Sequence, residues 1–153
     1  MDLILWRHAE AADAEDATED LERPLTARGE RQAARVAHWL NQHLPATTRV
    51  IASPARRCQQ TAAALERNFK TVAALVPGTG VQDVLTAARW PDAKEPVLVV
   101  GHQPTLGLVA AHVLAGAMQA WTIKKGAVWW LRRRDRADDT ETVLVAVRGP
   151  ESL

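Results

Sequence analysis

Three short apolar runs, each followed within a few residues by His or Arg, are the feature that most restricts the fold of this chain. The runs lie at residues 3–6, 50–52 and 97–100. Runs that are apolar at every position are typical of strands buried on both faces, as in a parallel sheet covered by helices. Ligands bind such sheets at the carboxyl ends of the strands, so the residues directly after the runs are candidate site residues.

Helices are predicted between these runs. The first extends to about residue 43 with Thr26 as its N-cap, and the second extends to about residue 69 with Ser53 as its N-cap. Two more are predicted over residues 81–90 and 104–114. A short strand is predicted at residues 72–76. Residues 127–131 and 142–147 are predicted to form a closing hairpin, with a polar turn at 132–140. This order predicts an α/β fold, a three-layer α/β/α sandwich with a mostly parallel sheet, as a single domain over residues 1–153.

Composition excludes several functional classes. The 153 residues carry a net charge of +1, which argues against a nucleic-acid binder that works by bulk charge. No apolar stretch approaches the roughly 20 residues of a membrane span. Cys58 is the only cysteine, which rules out an internal disulfide and suits the reducing cytoplasm. No His pair has metal-ligand spacing with a carboxylate, so neither a metal nor a cofactor is predicted.

The residues at the ends of the runs favour an anion site with a nucleophile. A neutral imidazole such as that of His8 can attack phosphorus when its other nitrogen is tied to a backbone carbonyl. The Arg7 guanidinium can bind phosphate oxygens in pairs, and His102 lies before a predicted helix N-terminus, which favours anions. Arg56 and Arg57 point about 100° apart on a helix, so one of them faces the site, and the spacing from Ser53 alone does not choose between them.

Taken in this order, the segments resemble the histidine phosphatase superfamily, which is also called phosphoglycerate mutase-like. Its members carry Arg-His-Gly after the first strand, Ser-Pro-x-x-Arg after the second and Gly-His after a later strand. The matching positions here are Arg7-His8, Ser53-Pro54 and Gly101-His102. The short length and the segment Arg23-Pro24-Leu25-Thr26-x-x-Gly29 are most similar to the SixA-type phosphohistidine phosphatases.

The resemblance implies that His8 is the phosphorylated nucleophile and that Arg7, Arg56 and His102 form the phosphate pocket. Arg56 is selected over its neighbour because residues 56–61 match the family's Arg-x-x-x-x-Thr continuation. Thr61 itself is expected to pack within its helix. Arg23 either borders the pocket or pairs with the acidic residues 13–22, which are expected to form a loop.

Two departures from the family pattern affect the expected chemistry. Ala9 replaces the usual glycine after the nucleophile, which is tolerated where the backbone does not need a positive φ. Many members also carry a general acid, for which Asp83 is the nearest candidate here, although a helix-cap role fits that carboxylate at least as well. Imidazole is a better leaving group than an alkoxide, so a phosphohistidine phosphatase can work without a strong acid.

The expected function is hydrolysis of phosphohistidine on a protein through a phospho-His8 intermediate. One alternative is a phosphatase of a small phosphate ester, which needs an acid such as Asp83, and another is a non-catalytic phosphate-sensing domain. The expected partners are a phosphorylated protein or a small phosphate ester, with neither nucleic acid nor membrane, and the oligomeric state is left open. Lys124-Lys125 and residues 132–134 are either solvated or dock an acidic protein partner.

Overall fold

Six strands form one mixed sheet in the computed structural model, which describes residues 1–14 and 19–153. The strands are β1 (Asp2–Arg7), β2 (Arg49–Ala52), β3 (Lys70–Thr71), β4 (Val97–Gly101), β5 (Val128–Arg136) and β6 (Asp139–Arg148). Their order in the sheet is β3-β2-β4-β1-β5-β6. The first four run parallel, whereas β5 pairs antiparallel with β1 and with β6.

Four helices cover the two faces of the sheet. The helices are α1 (Ala27–His43), α2 (Arg56–Ala63), α3 (Val81–Ala88) and α4 (Thr105–Ala115). One apolar cluster joins α1 and α2 to one face, and a second cluster joins α3 and α4 to the other. The predicted three-layer α/β/α sandwich with a mostly parallel sheet is therefore confirmed. None of the helices in the described ranges has the length and apolar character needed to cross a membrane.

The two central strands explain why the sheet has a helix layer on each face. Every residue of β4 is buried, and in β1 the side chains of Ile4 and Trp6 enter one cluster while those of Leu3 and Leu5 enter the other. Neighbouring side chains of a strand point to opposite faces, so an all-apolar strand needs cover on both. Burying each such side chain contributes about 1.5–3 kcal/mol.

Two predicted boundaries are wrong on the β2 side of the sheet. Helix α2 begins at Arg56 with Ala55 as its N-cap, because the Ser53 hydroxyl lies 2.8 Å from the ring of His102 and does not cap the helix. The strand predicted at 72–76 is instead the two-residue β3 followed by a short 3-10 helix over Ala73–Leu75.

The closing hairpin is longer than predicted. Strands β5 and β6 continue through the residues expected to form a polar turn, and the connection between them is only residues 137–138. Charged side chains pair across these outer strand ends, with Arg134 opposite Glu141 and an ion pair of 3.0 Å between Arg136 and Glu141. An exposed hairpin end needs no apolar side chains, so its polar composition resembled that of a turn.

Helix α1 begins where it must contact the segment after β1. The Thr26 hydroxyl accepts a hydrogen bond from the Gly29 amide at 2.9 Å, which confirms Thr26 as the N-cap. A Cβ placed on Gly29 would lie 2.0 Å from the carbonyl oxygen of Glu10. Glycine at position 29 therefore allows α1 to lie directly against the backbone two residues beyond His8.

Replacing Gly29 by Ala is expected to destabilise the protein by about 1–3 kcal/mol, because the added methyl group forces α1 away from Glu10. The matched control is Gly149→Ala, whose new Cβ would have its nearest neighbour at 4.0 Å. The measurement is urea unfolding of both variants beside the unmodified protein. Equal midpoints for the two variants would contradict the close approach of α1 to Glu10.

Candidate active site

His8 lies directly after β1, and its ring is fixed by a bond to the backbone. The residue is 7 % exposed, and its Nδ1 lies 2.8 Å from the carbonyl oxygen of Ala9. Because a carbonyl oxygen only accepts hydrogen bonds, Nδ1 carries the ring proton and Nε2 carries the lone pair. This is the tautomer that a nucleophilic role of His8 requires.

The backbone of Ala9 is held by Thr61 on α2. The Ala9 amide donates to the Thr61 hydroxyl at 3.1 Å, and that hydroxyl donates to the carbonyl of Arg57 at 2.7 Å. Thr61 is buried on its helix as expected, and its contact with Ala9 is a positioning role that the sequence did not indicate. Ala9 itself does not have a positive φ, so alanine fits this position.

Arg7 presents a guanidinium beside His8. Its Nη1 donates to the carbonyl of Ile123 at 3.0 Å, while its Nε is buried without a hydrogen-bond partner. Burial lowers the pKa of the Arg7 guanidinium from its ordinary value, although an arginine of this kind stays charged. The Arg7 side chain is thus held by one hydrogen bond, and its guanidinium keeps N–H donors that have no partner among the described residues.

Arg57, not Arg56, is the arginine that α2 brings to the site. Arg57 is 4 % exposed, and its charge acts on the pKa of both His8 and His102, whereas Arg56 is exposed. Arg57 belongs to the buried face of α2 together with Cys58, Thr61 and Ala62, and Arg56 points away from it. The prediction of Arg56 is therefore wrong, and the family's Ser-Pro-x-x-Arg spacing, counted from Ser53, also ends on Arg57.

An acidic side chain orients Arg57 from the opposite side. The guanidinium donates to the carbonyl of Asp20 at 2.8 Å and to its carboxylate at 3.1 Å. Arg23 pairs with the same carboxylate at 3.0 Å, and hydrogen bonds to these two arginines lower the pKa of Asp20. Arg23 therefore pairs with the acidic segment, and its charge also reaches His8. Of the predicted acidic loop, residues 15–18 lie outside the described residues, and Asp20–Glu22 form a short 3-10 helix.

His102, after β4, places a second imidazole 5.4 Å from that of His8, measured between ring centroids. It is 6 % exposed, and its Nε2 lies 2.8 Å from the Ser53 hydroxyl and 3.5 Å from the thiol sulfur of Cys58. The Ser53 hydroxyl oxygen also accepts from the Ala55 amide at 3.2 Å. Ser53 thus holds the ring of His102 rather than the start of α2.

Burial and neighbouring cations keep both rings neutral. Desolvation and then the charges of Arg57, Arg7 and Arg23 lower the pKa of His8 to about 4, against the bond to Ala9, which raises it. Desolvation, with the proximity of His8 and Arg57, lowers the pKa of His102 to about 3. Burial raises the pKa of the Cys58 thiol to about 12, so Cys58 stays protonated and is not a nucleophile at neutral pH.

Asp83 has its partners in the cap of α3. Its carboxylate accepts from the Gly80 amide at 3.1 Å and from the Thr79 hydroxyl at 3.0 Å. This is the helix-cap role that the sequence left open beside that of a general acid. The structure brings together His8, Arg7 and His102 as predicted, adds Arg57, and does not place Asp83 in contact with either ring.

Within residues 1–14 and 19–153, no group of three or more His, Cys, Asp or Glu side chains is arranged to hold a metal ion. The site consists instead of two neutral imidazoles and guanidinium groups. Such a set can bind a phosphoryl group through fixed charge and offer it one unprotonated ring nitrogen.

The comparisons with known proteins agree with this fold. A sequence profile of the histidine phosphatase superfamily (branch 1) matches residues 3–78. Phosphohistidine phosphatase SixA of Escherichia coli is 30 % identical over 127 residues, which are 76 % of each chain. The chain therefore belongs to the histidine phosphatase superfamily.

Two further relatives show how much of the chain the resemblance covers. An uncharacterised protein of Mycobacterium tuberculosis is 37 % identical over 109 residues, which are 68 % of this chain and 66 % of that protein. The solved structure of a protein designated SixA from Nakamurella multipartitia is 29 % identical, with a TM-score of 0.80 and coverage of 97 % of this chain and 95 % of its own. The fold likeness thus extends over nearly the whole chain.

The imidazole rings of His8 and His102 are expected to stay neutral, with one protonated nitrogen each, down to a pH far below 6.5. Because folding lowers both pKa values, the unfolded chain binds protons that the folded chain does not, and the folded state loses stability as pH falls from about 6.5 towards 4. Nitrogen-15 NMR of the imidazoles checks both pKa values and the Nδ1–H tautomer of His8. A midpoint for His8 near 6.5, or a proton on its Nε2 at neutral pH, would contradict the geometry.

Proposed function

We propose that this protein hydrolyses phosphohistidine on another protein, with His8 as the nucleophile. The observation that carries the proposal is the bond between His8 Nδ1 and the Ala9 carbonyl, which leaves a neutral Nε2 beside two guanidinium groups. Arg7, Arg57 and His102 bind the phosphoryl oxygens. Such charge neutralisation and positioning supply most of the catalysis in phosphoryl transfer.

The reaction takes place in two displacements at phosphorus. The lone pair of His8 Nε2 forms a nitrogen–phosphorus bond while the bond from phosphorus to the substrate's imidazole breaks, and that imidazole takes a proton from solvent. Water then attacks the phosphorus of phospho-His8, gives up a proton and releases inorganic phosphate. The ring of His8 returns to its neutral form with the Nδ1 proton still donated to Ala9.

His102 acts as a donor to the phosphoryl group when its proton lies on Nδ1. The Ser53 hydroxyl already accepts from the Ala55 amide, so its own proton is available to His102 Nε2 at 2.8 Å. When the Ser53 hydroxyl donates to Nε2 in this way, the neutral ring of His102 carries its own proton on Nδ1. A neutral donor of this kind stabilises charge without adding a titrating cation to the site.

The carboxylates around the site favour a substrate whose leaving group is imidazole. Asp20 is ionised and paired with Arg57 and Arg23, and Glu10 accepts a hydrogen bond from the Thr26 hydroxyl at 2.7 Å. Asp83 caps α3. A proton donor for an alkoxide contributes about 10²–10⁴-fold to ester hydrolysis, and none of these three groups is arranged to be one. Hydrolysis of phosphohistidine depends less on such a proton donor, because imidazole is a better leaving group than an alkoxide.

The first prediction from this function compares a phosphohistidine peptide with a panel of alkyl phosphate metabolites, in EDTA. We expect the peptide to have the higher kcat/KM, and we expect Asp83→Asn to leave its turnover unchanged. His8→Ala is expected to abolish turnover while preserving the thermal unfolding midpoint. Preference for one alkyl phosphate, together with at least a tenfold loss in Asp83→Asn, would instead favour a phosphatase of a small phosphomonoester.

The neighbouring arginines of α2 provide a matched pair for the second prediction. Arg57→Ala is expected to lower kcat/KM by about 10²–10³-fold, because it removes a buried cation from the phosphoryl site. Arg56→Ala removes the same charge one residue away on the exposed side, and its kcat/KM is expected to stay within about twofold. Steady-state kinetics on both variants, with circular dichroism to check folding, decides the outcome. Equal losses in the two variants would remove Arg57 from the proposed mechanism.

A further inference from the structure

A basic groove adjoins the site on the side of Arg7, and the proposed mechanism does not use it. The groove has a volume of about 290 Å³, and its lining includes the cations Arg7, Arg28, Lys124 and Lys125. Both lysines are exposed. The net charge of the whole chain is only +1, so this accumulation of positive charge is local to the site.

The two lysines belong to a tight turn whose backbone is hydrogen-bonded to His8. The Ala127 amide donates to the Lys124 carbonyl at 2.9 Å, and Gly126 has φ 74°, as the third residue of a type II turn requires. The Gly126 amide donates to the carbonyl of His8 at 3.0 Å, and its own carbonyl accepts from the indole of Trp6 at 3.0 Å. The turn is therefore anchored to the residue that carries the proposed chemistry.

The two carboxylates in the lining of the groove, those of Glu10 and Glu151, both lie near Arg28. Glu10 lies 3.9 Å and Glu151 lies 3.8 Å from the Arg28 guanidinium. Across the described part of the chain, neither Lys124 nor Lys125 has a carboxylate within the 4.0 Å of an ion pair. Two exposed ammonium groups that share a groove with Arg7 are complementary to additional negative charge on a substrate.

The groove is longer than a phosphoryl group needs. Beyond the lysines it continues into a second hollow of about 320 Å³, which Lys124 and Lys125 share and which Trp129, Val147 and Pro150 also line. A basic stretch that leads to an apolar hollow fits a polypeptide segment with acidic and apolar side chains. A small phosphate ester would occupy only the end nearest Arg7.

We propose that the Lys124–Lys125 turn binds acidic side chains that flank the phosphohistidine of the substrate protein. This inference rests on the proposed function and names the substrate class of the same site. Exposed ion pairs contribute about 0.5 kcal/mol each, so losing two of them should raise KM about fivefold. Because both lysines are exposed, the effect should diminish as salt shortens the Debye length.

The test uses two phosphohistidine peptides of equal length, one with acidic and one with neutral flanking residues. KM and kcat are measured for the unmodified protein and for Lys124→Ala/Lys125→Ala, at low and at high salt. The matched control is Lys94→Ala/Arg134→Ala, which removes the same charge at the opposite end of the sheet, before the first residue of β4 and near the outer end of β5. Phosphoramidate, which has a phosphorus–nitrogen bond without a polypeptide, serves as the reference substrate.

We expect the acidic peptide to have the lower KM on the unmodified protein. The ratio of kcat/KM for the acidic peptide to kcat/KM for phosphoramidate should fall about fivefold in the lysine variant, because KM for the peptide rises. The same ratio should not fall in the control variant. Equal KM values for the two peptides on the unmodified protein would overturn the inference and leave the proposed function standing. If neither peptide is hydrolysed while an alkyl phosphate is, the proposed function fails and this inference fails with it.

Discussion

The hydrogen bonds that hold residues 8 and 9 are the constraint on which the rest of the site depends. The His8 amide donates to Gly101, its carbonyl accepts from Gly126, and the Ala9 amide donates to Thr61, so β4, the turn before β5 and α2 all hold this segment. Buried backbone groups must find such partners in any fold. Here the same bonds also aim the Ala9 carbonyl at Nδ1, so the packing of sheet and helix decides which ring nitrogen of His8 is free.

Burial has opposite consequences for the two kinds of basic side chain at the site. It removes the charge from the imidazoles, whose ordinary pKa lies near neutrality, and it cannot remove the charge of Arg7, whose ordinary pKa lies many units higher. One environment therefore produces both neutral imidazoles and fixed cations. The cations in turn lower the pKa of His8 further, which keeps its lone pair available at neutral pH.

Sequence patterns predicted the features that burial determines and did not predict those that depend on contacts distant in the chain. The strand at 97–100 was found because every position is apolar, whereas the exposed outer half of the hairpin resembled a turn. The position of Arg57 could have been predicted from the sequence, because it lies four residues before Thr61 and therefore on the same buried face of α2. The roles of Thr61 and Ser53 could not have been predicted. Thr61 depends on a hydrogen bond with Ala9, and Ser53 depends on a contact with the ring of His102.

The range of electrostatic attraction also limits where substrate selection can occur. With a net charge of +1, the chain has no long-range field to attract anions, and charges at physiological salt act over only about 8 Å. Discrimination among phosphorylated molecules must then come from groups near the phosphoryl site. The turn proposed to bind acidic side chains lies this near, because the amide of its Gly126 donates a hydrogen bond to the carbonyl of His8. A change in the backbone of this turn would disturb the hydrogen bond that supports His8, whereas a change confined to the two lysine side chains would affect only the proposed substrate contact.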